Sequence, residues 1–102
     1  MERELRAFPR FECSLSARLV IGEVTEDGQI IDLSQSGCKL LPATLQQMRG
    51  RDWRPGTPLS IEIAQQKFAA VLVWATPNLS ALGCRFEPDI PADTVARLLS
   101  QS

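Results

Sequence analysis

The sequence contains no histidine and no tyrosine. Without an imidazole it lacks the side chain most often used as a general base near neutral pH, and the commonest metal ligand. Ser–His and Cys–His nucleophile pairs are excluded for the same reason. No clustered carboxylate dyad takes their place, so the sequence predicts a binding protein that is not an enzyme and carries no metal or cofactor. Cysteine is scarce: Cys13, Cys38 and Cys84 are odd in number, widely spaced and form no CxxC pair. They fit buried small hydrophobes of a reducing cytosol better than disulfides or a metal site. No apolar run approaches the ~20 residues that span a bilayer, and the first residues show no signal-peptide core. The expectation is a cytoplasmic protein without membrane insertion. A net charge of -1 supplies no basic field for a nucleic acid polymer.

What is present describes one small globular domain. The chain has 102 residues, of which 44% are hydrophobic and 23% charged, enough for a single modest core. Nine of its eleven basic residues are arginine, the planar cation suited to phosphate and base recognition. From Phe11 the chain alternates with period two, Phe11, Cys13, Leu15, Ala17, Leu19 and Ile21 sharing one face. This predicts a long half-buried strand. Glu26-Asp27-Gly28 reads as a turn, followed by a strand through Ile30, Ile31 and Leu33 and a hairpin into Cys38-Lys39-Leu40-Leu41. Residues 42–57 are polar and punctuated by Pro42, Gly50, Pro55 and Gly56, with room for a helical turn over 43–48. Strands resume over 59–63, 68–75 and 82–86. The run 68–75 is apolar on both faces, as expected of a strand covered by a helix. Trp74 ends that run and reads as a core residue. Residues 91–101 read as a short amphipathic helix burying Val95, Leu98 and Leu99. Six short strands and a C-terminal helix predict a mostly β fold, a closed six-stranded antiparallel barrel, because closure removes exposed edges.

Two stretches carry chemistry. In the first, Arg6-Ala7-Phe8-Pro9-Arg10, Pro9 disfavours helix, so the segment reads as an extended arm entering the first strand. Four extended residues span up to ~14 Å, letting two guanidiniums grip separate parts of one ligand. In the second, Asp32-x-Ser34-x-x-Gly37, a turn holds a carboxylate and a hydroxyl at a barrel rim beside backbone N–H groups, with Gly37 supplying a positive φ. Arginine forks suit the O6/N7 acceptors of guanine, and a carboxylate accepts from the donors on its other edge. The set therefore fits a phosphate-bearing purine nucleotide. Trp53, between Arg51 and Arg54, offers an aromatic anchor for a protein partner.

An RxxxR arm, an alternating strand and a D-x-S-x-x-G hairpin turn together resemble the PilZ domain, a bacterial receptor family for cyclic di-GMP. Pro55-Gly56, Val71-Leu72-Val73-Trp74 and Leu82-Gly83-Cys84-Arg85-Phe86 add to the likeness, which extends from about residue 3 to residue 99. The resemblance implies that Arg6 and Arg10 clasp guanine and phosphate, and that Asp32, Ser34 and Gly37 complete the site. It implies an arm, residues 1–10, closing over a barrel domain, residues 11–102, so that a surface read by a protein effector changes. Leu5 stands where many members carry a further arginine, which points to one ligand per site. The contrasting expectation is a PilZ-like protein-interaction module that binds no nucleotide.

Overall fold

The period-two pattern is realised as strands. The computed structural model describes residues 8–43 and 54–101. Strand β1 (Phe11–Ile21) buries Leu15, Ala17 and Leu19 and exposes Glu12, Ser14, Ser16 and Arg18. It is followed by β2 (Val24–Leu33), β3 (Gly37–Pro42), β4 (Pro58–Ile63), β5 (Gln66–Ala75), β6 (Leu82–Phe86) and helix α1 (Ala92–Leu99). All pairings are antiparallel, and the order β1-β2-β3-β6-β5-β4 closes into a barrel. The predicted six-stranded closed barrel with a C-terminal helix is the fold observed.

The barrel interior is filled by branched and aromatic side chains, among them Ile30, Leu33, Leu40, Ile61, Leu82 and Phe86, all essentially inaccessible. Each such burial contributes about 1.5–3 kcal/mol. Phe68 and Phe86 meet tilted at 57° with ring centroids 5.8 Å apart, a favourable aromatic arrangement. Helix α1 adds Val95 and Leu98, both buried, to the barrel's core and packs on β1. The chain reaches it from β6 through a cis Glu87–Pro88 bond. Among the described residues no helix is long and apolar enough to cross a membrane.

Two expectations need correcting. Glu26-Asp27-Gly28 is not the first turn but lies inside β2, where Asp27 and Gly28 pair with Arg18 and Ala17. The reversal falls between Ile21 and Val24, where Gly22 takes a φ of 57° open to glycine without penalty. Nor does α1 cover the outer face of β5: Phe68, Ala70 and Leu72 point inward, while Ala69 and Val73 are exposed. The helical turn over 43–48 and Trp53 lie outside the described residues, apart from Ala43.

Candidate functional site

The register of the first hairpin places the two motifs together. Phe11 pairs with Leu33 and Glu12 with Asp32, so Arg10 enters beside the end of β2. Its Nε donates to both Asp32 carboxylate oxygens, at 3.1 and 3.3 Å. The Asp32 side chain is 27% exposed and that of Arg10 57%. Among the described residues the two terminal guanidinium nitrogens have no other partner. Arg6 lies outside the described residues.

The Ser34–Gly37 turn is built by its own hydrogen bonds. Ser34 is buried; its Oγ accepts from the N–H of Ser36 at 3.1 Å and of Gly37 at 3.2 Å. Its own N–H donates to the Gly37 carbonyl at 2.9 Å. These N–H groups, expected at the rim for a ligand, are thus engaged within the turn. Ser36 Oγ shares a 3.1 Å hydrogen bond with Ser34 Oγ. Outward carbonyls are also used: Ser36 accepts from Phe86 N and Gln35 from Ile90 N, both at 2.8 Å, tying the turn to β6 and the approach to α1. Gly37 does not adopt the positive φ expected of it. It is required for another reason: a Cβ there would fall within 3.0 Å of the Cys84 carbonyl oxygen on β6.

Arg10, Ser34, Ser36 and Gly37 line one depression of about 170 Å³ together with Cys38, Val73, Trp74, Gly83, Cys84 and Arg85. Asp32 stands beside it, joined through Arg10. Three of the five expected site residues therefore share one surface and a fourth is bonded to it. The floor includes the cross-strand pair Cys38 and Cys84, both free thiols and buried. A hydrogen bond with Cys84, and then burial, push the Cys38 thiol well above its ordinary pKa. Burial, and then the Asp32 charge, raise that of Cys13. Both thiols stay neutral at physiological pH and add no negative charge to the site.

Trp74 corrects the sequence reading most clearly. It is 41% exposed rather than core, and it lines the depression. Its indole lies directly over Gly83, where a Cβ would collide with the ring, and Lys39 Nζ sits 5.9 Å from the ring centroid. Lys39, Gly83 and Trp74 form one row across β3, β6 and β5. A register shift between Leu72 and Trp74 makes this possible. The extra residue breaks the alternation that buries Leu72 and leaves Val73 and Trp74 both exposed. Arg85, opposite Gly37, points outward and pairs with Glu87 at 2.7 Å. Further irregularities fall between Glu12 and Leu15 and between Ile30 and Asp32. Sequence reasoning did not place Trp74, Ser36 and Arg85 at this depression; the glycine facing the tryptophan was the available signal.

Fold and site together define a small closed β-barrel domain with a polar, arginine-bearing surface at one rim. The chain belongs to the PilZ domain family, whose sequence model matches residues 4–101. Solved structures agree in fold. The PilZ domain with c-di-GMP of YcgR from Escherichia coli superposes with a TM-score of 0.66 at 19% identity, covering 95% of this chain and 87% of that one. The Bacillus subtilis inhibitor of motility MotI/DgrA gives a TM-score of 0.65 at 16% identity over 97% of this chain. This chain spans 50% of that protein's length. No curated protein matches the sequence.

Proposed function

We propose that this PilZ domain is a receptor for cyclic di-GMP, acting as an adaptor whose arm, residues 1–10, closes over ligand bound on the barrel domain, residues 11–102. The observation that carries the reading is the Arg10–Asp32 pair at 3.1 Å, set at the rim of a depression that holds Trp74 and the Ser34–Gly37 turn. With Nε held by Asp32, the terminal nitrogens of Arg10 are oriented for a guanine edge or a phosphate, and Arg6 adds a second fork from the arm. Asp32 offers its carboxylate to guanine donors. Ser34 acts by shaping the turn, and Gly37 by letting that turn lie against β6. Trp74 supplies a face on which a purine can stack. The YcgR domain with the same fold carries c-di-GMP.

The depression's size supports closure by an arm. Its roughly 170 Å³ is well below the ~300–1,000 Å³ that encloses a typical ligand. A dinucleotide seated there stands proud of the surface, which leaves a face for an arm to cover. Closure alters the surface offered to a protein effector, and ligand shifts the population toward the closed state. The free thiols suit a reducing, cytoplasmic setting. The reading involves no catalysis, metal or nucleic acid polymer.

Isothermal calorimetry with cyclic di-GMP tests it. Wild type is expected to bind at micromolar ligand, and Arg10→Ala and Asp32→Ala to lose at least tenfold in affinity. Absence of heat for wild type overturns the reading in favour of a protein-interaction module.

A further inference from the structure

The cations that line the depression are matched by carboxylates. Arg10 is paired with Asp32 at 3.1 Å, and Arg85 with Glu87 at 2.7 Å. Each pair sums to zero charge, so it suits a neutral partner such as a base edge better than an anion. Lys39, beside the depression, differs. Among the described residues its ammonium has no carboxylate partner. The surplus positive charge next to Trp74 therefore sits on this lysine.

Strand register explains how the charge comes to be there. Cys38 and Leu40 are buried, so Lys39 between them faces outward from β3. Gly37, which lines the depression, is two residues away on the same strand, about 7 Å. Directly opposite Lys39 are Asp32 on β2 and Gly83 on β6. Asp32 is the obvious partner, yet both of its carboxylate oxygens accept from Arg10. Glu12, the next carboxylate in the row, is a strand further off, beyond Asp32. The lysine turns instead toward β6, where the Trp74 indole lies over Gly83, and its Nζ stands 5.9 Å from the ring centroid. An ammonium over an exposed indole is held only weakly, and its four-carbon stem is flexible.

From this geometry we propose that Lys39 is a further ligand-binding residue of the nucleotide site, its ammonium passing from the Trp74 ring to a phosphate of the nucleotide that stacks there. The inference rests on the cyclic di-GMP reading above. A cyclic dinucleotide joins neutral bases to two phosphodiesters, each with one negative charge. The Arg10–Asp32 pair, neutral as a whole, meets a base edge. Lys39 supplies the unmatched cation that a phosphodiester needs, as a compact point charge. A base or nucleoside without phosphate gives the lysine nothing to pair with, so Lys39 selects for the phosphorylated ligand.

The test is calorimetry with cyclic di-GMP on wild type, Lys39→Met, Lys39→Arg and Lys67→Met. Each is measured at about 0.01 M and about 1 M salt, where charges are screened over about 30 Å and about 3 Å. Methionine keeps an unbranched stem and removes the charge. Lys67→Met changes net charge equally, but Lys67 pairs with Glu62 and lies at the end of β5 remote from Trp74. Lys39→Met is expected to bind about fivefold more weakly than wild type at low salt, the strength of one well-placed exposed ion pair, and within about twofold at high salt. Lys39→Arg and Lys67→Met should stay within about twofold of wild type at both. The proposal is overturned if Lys39→Met matches wild type at low salt. It is equally overturned if the deficit persists undiminished at high salt, which leaves Lys39 only steadying the indole, or if Lys39→Arg or Lys67→Met is as weak as Lys39→Met. A wild type that binds no cyclic di-GMP at either salt removes the nucleotide reading itself, a result distinct from the preceding ones.

Discussion

Gly37→Ala separates two explanations of one turn glycine, conformational need and close approach. The added Cβ would sit within 3.0 Å of the Cys84 carbonyl oxygen and 3.4 Å from Arg85 Cα. Both neighbours are backbone of β6, which cannot swing away as a side chain would. Carbon–oxygen contacts between strands settle at about 3.3–3.6 Å, so β3 and β6 must part locally by roughly an ångström. The Phe86 N to Ser36 O bond, now 2.8 Å, then exceeds hydrogen-bonding distance. Losing it costs about 0.5–1.5 kcal/mol net, and the overpacking itself about 1–3 kcal/mol. Together these give about 2–4 kcal/mol, a large share of the ~5–15 kcal/mol stability of a small domain. At about 4–8 °C per kcal/mol, the thermal midpoint should fall by at least ~8 °C. Urea unfolding followed by circular dichroism measures the loss. Gly22→Ala is the comparison: φ there is 57° with nothing within 4 Å, so only left-handed strain of about 1–2 kcal/mol applies. The reasoning is refuted if Gly37→Ala is as stable as wild type, or less destabilised than Gly22→Ala.

Other perturbations address the site. Trp74→Ala should weaken cyclic di-GMP binding by about 1–3 kcal/mol, the worth of stacking one base, while Trp74→Phe retains most of it; equal affinities in calorimetry would remove Trp74 from the site. Arg10→Ala should change stability by no more than about 1 kcal/mol, because its pair with Asp32 is solvent-screened, so a large drop in thermal midpoint would contradict the placement of Arg10 at the rim. A thiol reagent should label half-exposed Cys13 first and reach Cys38 and Cys84 only on unfolding, as read by mass spectrometry of labelled peptides. Because the folded Cys38 thiol lies above its ordinary pKa, the unfolded chain loses that proton first. Its contribution to stability is complete below about pH 8.5 and is lost as pH rises through the folded value. Urea midpoints should therefore decline in alkali, with a shallower slope in Cys38→Ala.

Strand number, closure and the capping helix were legible because alternation and turn chemistry are local. Leu59, Ile61 and Ile63 or Leu82, Cys84 and Phe86 declare their face in isolation. Where a register shift intervenes, local reading fails. Trp74 follows Leu72 by two residues and ought to share its burial, but the irregularity between them turns it to solvent. Gly37 was recognised as necessary for the wrong reason, since its constraint comes from Cys84, distant in sequence and adjacent only through the β3–β6 pairing. Arg10 and Asp32 were joined by the resemblance and not by register, since a turn at 26–28 would set Phe11 far from Leu33; the observed pairing follows from the reversal at Gly22. The turn of Glu26-Asp27-Gly28 was misread because its composition is turn-like while its neighbours in β1 and β3 hold it extended.

The ring of strands is tied unevenly. Strands β1 and β4 meet only where Arg18, Leu19 and Val20 face Glu62, Ile61 and Ser60, whereas β1 and β2 pair along almost their full length. Mechanically the barrel is a curled ribbon fastened by a short seam. The first half of β1, which leads back to Arg10, is anchored to β2 on one side and lacks a β4 partner on the other. Such a strand can flex about its β2 hinge while the rest of the circumference stays fixed. Its compliance is then concentrated in the part of the wall that presents Arg10 and Phe11, and a tug on the arm meets the buried Leu15 and Ala17 before it meets the seam at Arg18.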